Sequence, residues 1–343
     1  AELGALATEA GLRRIHLLAW RDLHDPEAGG SEVHAARVAS IWAEAGLEVT
    51  MRTSAAPGHP HDSLRDGYRV IRRRGRYTVF PAAAVAEALG RHGPTDGLVE
   101  IWNGVPFLTP LWARVPKVVF LHHLHRDMWR LVMRDALARA GELFERRAAP
   151  RFYRRTPIIT LSRSSRDELV REMGFGPDQV RIVPPGIDDR FAPGSGAEQP
   201  TPLVLAVGRL PQPKRFEVLI RSMVEVRRHV PDAELVIVGT GHESESLAQL
   251  VRDLDAGSWV HLTGRASDAE LVDWYQRAWV VAAASIAEGW GMTLTEAAAC
   301  GTPAVATRIA GHLDSVADGE SGLLAGDDRE LVSHLRAVLA DAD

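Results

Sequence analysis

Short apolar runs rich in Val, Leu, Ile and Ala alternate along this chain with longer stretches whose apolar positions recur at helical spacing. The runs at 15–20, 49–53, 68–71, 98–101, 118–121 and 158–161 predict strands in the first half. Those at 203–207, 235–238, 260–262, 280–284 and 304–306 predict strands in the second. Stretches such as 33–45, 216–228 and 328–339 carry the helical period between and after them. Strands alternating with helices imply βαβ units and parallel sheets. Residues 184–202 are rich in Pro and Gly, and the βα rhythm restarts after them. The pattern therefore predicts an α/β protein of two doubly wound, Rossmann-like domains, 1–185 and 186–343, with ligands bound in a cleft at the carboxyl ends of the strands.

Composition narrows the classes. The 343 residues suffice for two cores, and 45% hydrophobic with 25% charged residues is globular, not disordered. A single cysteine, Cys300, leaves no internal disulfide framework and no thiolate zinc cluster. No apolar run approaches the roughly 18 residues of a membrane span. Residues 1–14 lack a basic region followed by an apolar stretch, so a cytoplasmic location is expected. Charge is uneven: residues 1–185 hold 27 basic against 21 acidic side chains, and residues 186–343 hold 13 against 24. The basic half suits an anionic partner, or is simply a solvated surface. Of the 40 basic residues only Lys117 and Lys214 are lysines, which marks both as positions where arginine has not served.

The richest segment for chemistry is Glu288-Gly289-Trp290-Gly291-Met292-Thr293-Leu294-Thr295-Glu296. It lies between the strand at 280–284 and a helix stopped by Gly301-Thr302-Pro303. A strand, a glycine-flanked turn and a helix aim free N–H groups and a positive dipole end at a phosphate. Two carboxylates, one before the helix and one in its first turns, suit the hydroxyls of a sugar nucleotide, although glutamates at this spacing also arise by chance. Past the strand at 203–207, Gly208-Arg209-Leu210-Pro211-Gln212-Pro213-Lys214 places two cations in a proline-stiffened loop, able to stabilise charge on a leaving diphosphate. In the first half, Gly29-Gly30-Ser31 precedes a helix expected to start near Glu32, and adjacent glycines let backbone approach a ligand. Neither the Gly-x-Gly-x-x-Gly fingerprint nor a Gly-Lys-Ser/Thr phosphate loop occurs, which counts against a dehydrogenase or a nucleoside triphosphatase.

His122, at the carboxyl end of the strand 118–121, can donate to a sugar hydroxyl. His123 and His125 read as hydrogen-bonded structural histidines; a metal site would need further ligands, and none clusters nearby. Asp253-Leu254-Asp255, an acidic pair some metal-dependent transferases use, falls at the end of a helical stretch away from any strand end and reads as solvated surface. Residues 126–155, from Arg126 to Arg155, carry nine arginines against four acids with apolar residues between. This is either a basic amphipathic helix lying on an anionic membrane or a core-packing helix with a solvated basic face.

Taken together, these segments resemble the retaining glycosyltransferases of family four, which have the GT-B fold of two such domains facing each other across a cleft. The resemblance covers nearly the whole chain. Gly29-Gly30-Ser31-Glu32 is similar to the family's first glycine loop, and 118–122 to its strand ending in the active-site histidine. Val183-Pro184-Pro185-Gly186-Ile187-Asp188 is similar to the approach to the linker, with Pro185 where Asn is common. Val207-Gly208-Arg209 through Lys214 resembles its phosphate-binding pair, and Glu288 to Glu296 its Glu-x7-Glu signature, with Trp290 for the commoner phenylalanine.

The resemblance implies that Arg209 and Lys214 hold a donor diphosphate, that Glu288 contacts the transferred sugar and Glu296 the ribose. It implies that the amides of Gly291, Met292, Thr293 and Leu294 bind phosphate and sugar, that His122 lies near the reacting carbon, and that Arg265 lies near the base. The donor is expected to be a UDP- or GDP-sugar, with no cofactor and no metal, and the acceptor an unidentified hydroxyl on a saccharide, lipid or small metabolite. A peripheral membrane contact is open, and no nucleic acid partner is expected. Alternatives are a GT-B epimerase or phosphorylase, or a non-catalytic sugar-nucleotide sensor. The family usually continues with a long C-terminal helix crossing back onto the first domain. This sequence runs to Asp343, soon after the helix at 328–339, so the chain is expected to be shortened or closed differently.

Overall fold

A computed structural model describes residues 2–122, 124–125, 129, 135–194 and 200–340. The chain divides into two compact units, residues 1–161 with 165–184, and residues 185–343 with 162–164.

The first unit is built on an eight-stranded sheet. Its strands are β1 Arg14–Leu18, β2 Glu48–Thr53, β3 Asp62–Arg65, β4 Tyr68–Arg72, β5 Gly97–Trp102, β6 Lys117–Leu121, β7 Ile158–Thr160 and β8 Val180–Ile182. They lie in the order β3-β4-β2-β1-β5-β6-β7-β8, parallel throughout except for the β3–β4 hairpin. The helix Gly30–Glu44 lays Ala35, Ala36 and Ala39 on the sheet, where Leu17, Val49, Tyr68, Val70 and Val99 are buried. Small residues on the helix let it approach sheet residues that are themselves large.

The second unit carries β9 Leu203–Val207, β10 Glu234–Val238, β11 Val260–Gly264, β12 Val280–Ala283, β13 Ala304–Thr307 and β14 Gly322–Ala325. All are parallel, in the order β11-β10-β9-β12-β13-β14. One face is covered by the helix Phe216–Arg227, which buries Phe216, Leu219, Ile220, Met223 and Val226 at helical spacing. Leu331, Leu335 and Leu339 of the helix Asp328–Ala340 join that core. Tyr275, Leu294 and Ala297 pack the opposite face.

In each sheet the first strand is central, and the strand order reverses beside it. The reversal falls between β1 and β5 in one unit and between β9 and β12 in the other. Loops leaving the carboxyl ends of such a strand pair diverge to opposite faces and open a crevice. Every expected strand is present. β3, β8 and β14 are additional, and each is short or polar and pairs on one side only.

From residue 135 on, where it is described without a gap, the basic run 126–155 is interrupted by a π-turn. Residues 126–128 and 130–134, like His123, lie outside the described residues. The remainder is a helix at Asp135–Leu143, a π-turn at Phe144–Ala148 and a four-residue helix at Pro150–Tyr153. Pro150 cannot continue the ladder of i→i−4 hydrogen bonds. Arg146 is committed to Glu142 and Glu172, which neutralises part of the basic face.

Candidate active site

In the second unit the crevice is built from backbone upward. Gly208, just past β9, has φ +147°, and Gly239, just past β10, has φ +143°. A Cβ on Gly239 would stand 1.8 Å from the Gly208 carbonyl oxygen, so the two loops touch backbone to backbone. The β9 loop then tightens into a 3-10 turn, Gln212–Lys214, and Arg215 turns left-handed (φ 52°) to start the helix Phe216–Arg227. Ile286 N–H donates to the Pro213 carbonyl at 3.0 Å, tying the loop after β12 to the loop after β9. Lys214 and Glu288 therefore meet: Nζ stands 2.5 Å from Oε1, and Ser285 Oγ donates to the same carboxylate oxygen at 3.0 Å.

Burial would push the Glu288 carboxyl up, but Lys214, the nearby His312 and the two hydrogen bonds outweigh it and hold the group below the usual carboxylate range. His312 is buried, and burial pulls its imidazole down. Its Nδ1 lies 2.8 Å from the Thr307 carbonyl, which accepts only; this assigns the proton of the neutral ring to Nδ1 and leaves Nε2 as acceptor. Gly291 (φ +95°) precedes the helix Met292–Ala299, and a Cβ there would be 3.0 Å from His312 Cδ2. Gly311 (φ +86°) brings its own backbone against Glu288–Trp290. Lys214, Ser285, Glu288, Gly291, Thr293 and His312 line one narrow pocket between β9 and β12.

Glu296 sits one turn into the helix, where Tyr275 Oη donates to its Oε2 at 2.7 Å. Burial raises the Glu296 carboxyl above its ordinary value, against that hydrogen bond and the more distant cations Arg190 and Lys214. The two glutamates of one motif thus differ in kind: Glu288 is a held anion, and Glu296 takes up a proton more readily.

The expected residues are not all brought together. Leu294 N–H donates to the Gly291 carbonyl at 2.9 Å and its side chain is core, so Met292 and Thr293 carry the outward amides of the first turn. Trp290 lies over the helix, its indole N–H donating to Thr295 Oγ1 at 3.3 Å. Arg209 is half-buried beside Gly208, Gly289 is buried, and Arg265 is exposed at the carboxyl end of the edge strand β11. Ser285, Tyr275 and His312 were not anticipated. Gly311-His312, a glycine and a histidine just past a strand of the same sheet, was the available signal for the last.

In the first unit the helix begins at Gly30, two residues before Glu32, with Gly29 as its cap. The buried Glu32 carboxylate accepts from Gly29 N–H at 2.8 Å, Ser31 Oγ at 2.9 Å and Arg21 Nε at 3.2 Å, which fixes the glycine loop. Asn103, just past β5, donates to Ser31 at 3.2 Å. His122, just past β6, is buried with Nε2 at 3.1 Å from His34 Nδ1. Burial pulls the His34 imidazole down, favouring its neutral form, in which one of the two facing nitrogens donates and the other accepts. His125 N–H and the Trp129 indole both donate to the fully buried Glu145, whose carboxylate thereby joins these two residues.

Asp253 and Asp255 are exposed at the end of the helix Ser244–Asp253, and Asp253 accepts from Gln249. Among the described residues no group of three or more His, Cys, Asp or Glu side chains is disposed to hold a metal ion, and no helix is long and apolar enough to cross a membrane.

Comparison with known proteins bears on the family and the fold. Residues 28–191 match the family Glycosyltransferase Family 4, and residues 188–343 match Glycosyl transferases group 1. The chain is 31% identical over 294 aligned residues to the GDP-mannose-dependent alpha-(1-6)-phosphatidylinositol monomannoside mannosyltransferase of Mycolicibacterium smegmatis, covering 78% of this chain and 73% of that one. It is 28% identical over 372 aligned residues to the D-inositol 3-phosphate glycosyltransferase of Pseudarthrobacter chlorophenolicus, covering 93% and 84%. Among solved structures, the sucrose-phosphate synthase of Thermosynechococcus elongatus superposes with a TM-score of 0.81 at 23% identity, covering 96% of this chain and 90% of that one. Anabaena HepE in complex with UDP and glucose gives 0.72 at 18%, covering 96% and 90%. Both share the fold of two parallel-sheet α/β domains. The chain belongs to the family-four glycosyltransferases.

Proposed function

We propose that this glycosyltransferase moves a hexose-type sugar from a nucleoside-diphosphate sugar to a hydroxyl acceptor, with retention at the anomeric carbon and without a metal. The observation that carries the reading is the convergence of Lys214, Glu288 and the amino end of the helix Met292–Ala299 at the point where the strand order reverses. Lys214, with Arg209 beside Gly208, takes the diphosphate, and the amides of Met292 and Thr293 add the helix dipole. Glu288, held as an anion, accepts from hydroxyls of the transferred sugar, and Glu296 from the ribose. Arg265 faces the base. The second unit is thus the donor-binding domain; the first contributes His122 as its contact with the sugar and its loops as the acceptor side.

In the step itself the bond from the anomeric carbon to the donor phosphate oxygen breaks, and a bond to the acceptor oxygen forms on the same face. The acceptor proton passes to the departing phosphate oxygen, and nucleoside diphosphate leaves. Charge growing on that leaving group falls on Lys214 and the helix end, which supply what a metal supplies elsewhere.

GDP-mannose is the first donor to try, because the Mycolicibacterium relative's name specifies it. Phosphorylated inositols head the acceptor list for the same reason. The test is a thermal-shift screen against UDP-, GDP-, ADP- and dTDP-sugars, followed by NMR of the product anomer in the presence of EDTA. Inverted product, or turnover that collapses with chelator, defeats the proposed chemistry; donor consumption without acceptor points to an epimerase, and a need for inorganic phosphate to a phosphorylase. Binding of nucleotide with neither transfer nor hydrolysis points to a sensor.

A further inference from the structure

Lys214 has its place in the donor pocket, but the chain's other lysine, Lys117, has none. It opens β6, at the end of the strand opposite His122. Five residue steps at about 3.3 Å each separate the two by roughly 16 Å, too far for one phosphate to touch both. Beside Lys117 lies an open cavity of about 480 Å3, lined chiefly by Arg151, Phe152, Arg154, Arg155 and Thr156, with no carboxylate in its wall. Its volume falls in the ordinary range of small-molecule sites.

The wall is held in place without a ligand. Tyr153 is buried and donates through Oη to Glu100 at 2.7 Å. Gln179 Nε2 donates to the carbonyls of Tyr153 and Thr156, at 2.6 and 2.8 Å, and Thr156 N–H closes the turn onto Tyr153 at 2.9 Å. Val119 N–H donates to the Pro157 carbonyl at 3.0 Å, fastening the turn to β6. Arg154 and Arg155 therefore leave a rigid turn, and little order has to be created on binding. Four cations gathered in one concavity repel one another unless an anion joins them, and the planar guanidinium fork matches phosphate oxygens in pairs.

We propose that this cavity is a second anion site, separate from the donor pocket, that takes a phosphate-bearing group. The proposal does not depend on the donor assignment, because every residue that lines the cavity belongs to the first unit.

The probes are inorganic pyrophosphate, titrated by calorimetry, and vesicles of phosphatidylcholine with or without phosphatidylglycerol, read by co-sedimentation at low salt. Titrations use the full chain carrying Lys214→Ala, so that a phosphate site in the second unit does not contribute. Arg154→Glu with Arg155→Glu tests the cavity. Arg221→Glu with Arg329→Glu, both exposed in the second unit, makes the same change of charge elsewhere. The cavity pair is expected to lose at least tenfold in affinity for one probe, with the control pair within twofold of the parent and circular dichroism unchanged. Loss confined to pyrophosphate identifies a soluble phosphate, and loss confined to phosphatidylglycerol vesicles identifies a lipid headgroup. Equal loss in both pairs, or no binding of either probe by the parent, overturns the proposal.

Discussion

Lys214 Nζ and Glu288 Oε1 stand 2.5 Å apart, although 74 positions of sequence separate a loop after the first strand of the second unit from a loop after its fourth. The contact exists because β9 and β12 are sheet neighbours, and it makes one cation answer to a carboxylate and, in the proposed reaction, to a phosphate.

Removing either partner is expected to stop transfer while sparing the fold. Lys214→Ala and Glu288→Gln should each lower kcat/KM by about 100-fold or more, the usual loss when a charge-stabilising donor or its positioner is deleted. Both side chains are partly exposed, so the stability change should stay near 1 kcal/mol. Turnover of purified variants against the best donor of the thermal-shift screen checks this. Near-normal rates in either one refute the site.

Glu296 should set the acid limb of donor affinity. Its carboxyl is raised, and an ionised carboxylate accepts from ribose hydroxyls better than a protonated one, so affinity should fall as pH drops through that raised value. Tyr275→Phe removes a hydrogen bond that lowers it, so the limb should move to higher pH. Calorimetry of nucleotide binding across pH reads both, and an unmoved limb in Tyr275→Phe contradicts the assignment. Glu296→Ala should weaken binding and abolish the limb.

Gly239→Ala should destabilise the second unit by about 3 kcal/mol or more, since a Cβ 1.8 Å from the Gly208 carbonyl adds a clash to a positive-φ strain. Gly257→Ala, with open space around its Cβ position, is the control and should change stability by less than about 1 kcal/mol. Chemical denaturation distinguishes them.

The first unit should be acid-sensitive through Glu87. Burial would raise this carboxyl, but hydrogen bonds with His16 and His92, at 2.9 and 2.7 Å, bring it down to about 2 from an ordinary 4.5. A depressed carboxyl stabilises the fold fully above its unfolded value, so that contribution is present above about 4.5 and is lost as pH falls towards 2. Glu87→Gln should lower stability at neutral pH and flatten its decline across that window. An unchanged slope in acid unfolding monitored by circular dichroism argues against the cluster's role.

The sequence by itself determined the βα alternation, the central strands and the positions of the glycine turns, because buried parallel strands read as apolar runs and turns with positive φ favour glycine. It also marked Lys214, Glu288 and Glu296, whose places just past a strand or in the first turns of the following helix show as residue order along the chain. Of the four edge strands β11 was legible and three were not: Asp62–Arg65 is polar, Val180–Ile182 is three residues long, and Gly322–Ala325 opens on a glycine whose backbone lies against Ala304. Their pairing with a single neighbour asks little of their composition.

Tertiary structure alone decided which side chains complete each site. His312 comes beside Glu288 because β13 neighbours β12, Tyr275 reaches Glu296 from a helix packed on the same face of the sheet, and His34 meets His122 across 88 positions. It also decided that Leu294 N–H is used within its own helix and that Lys117 lines a cavity. Hydrogen bonds and charges act over a few ångströms, and only the order of strands in a sheet sets which distant residues come that close.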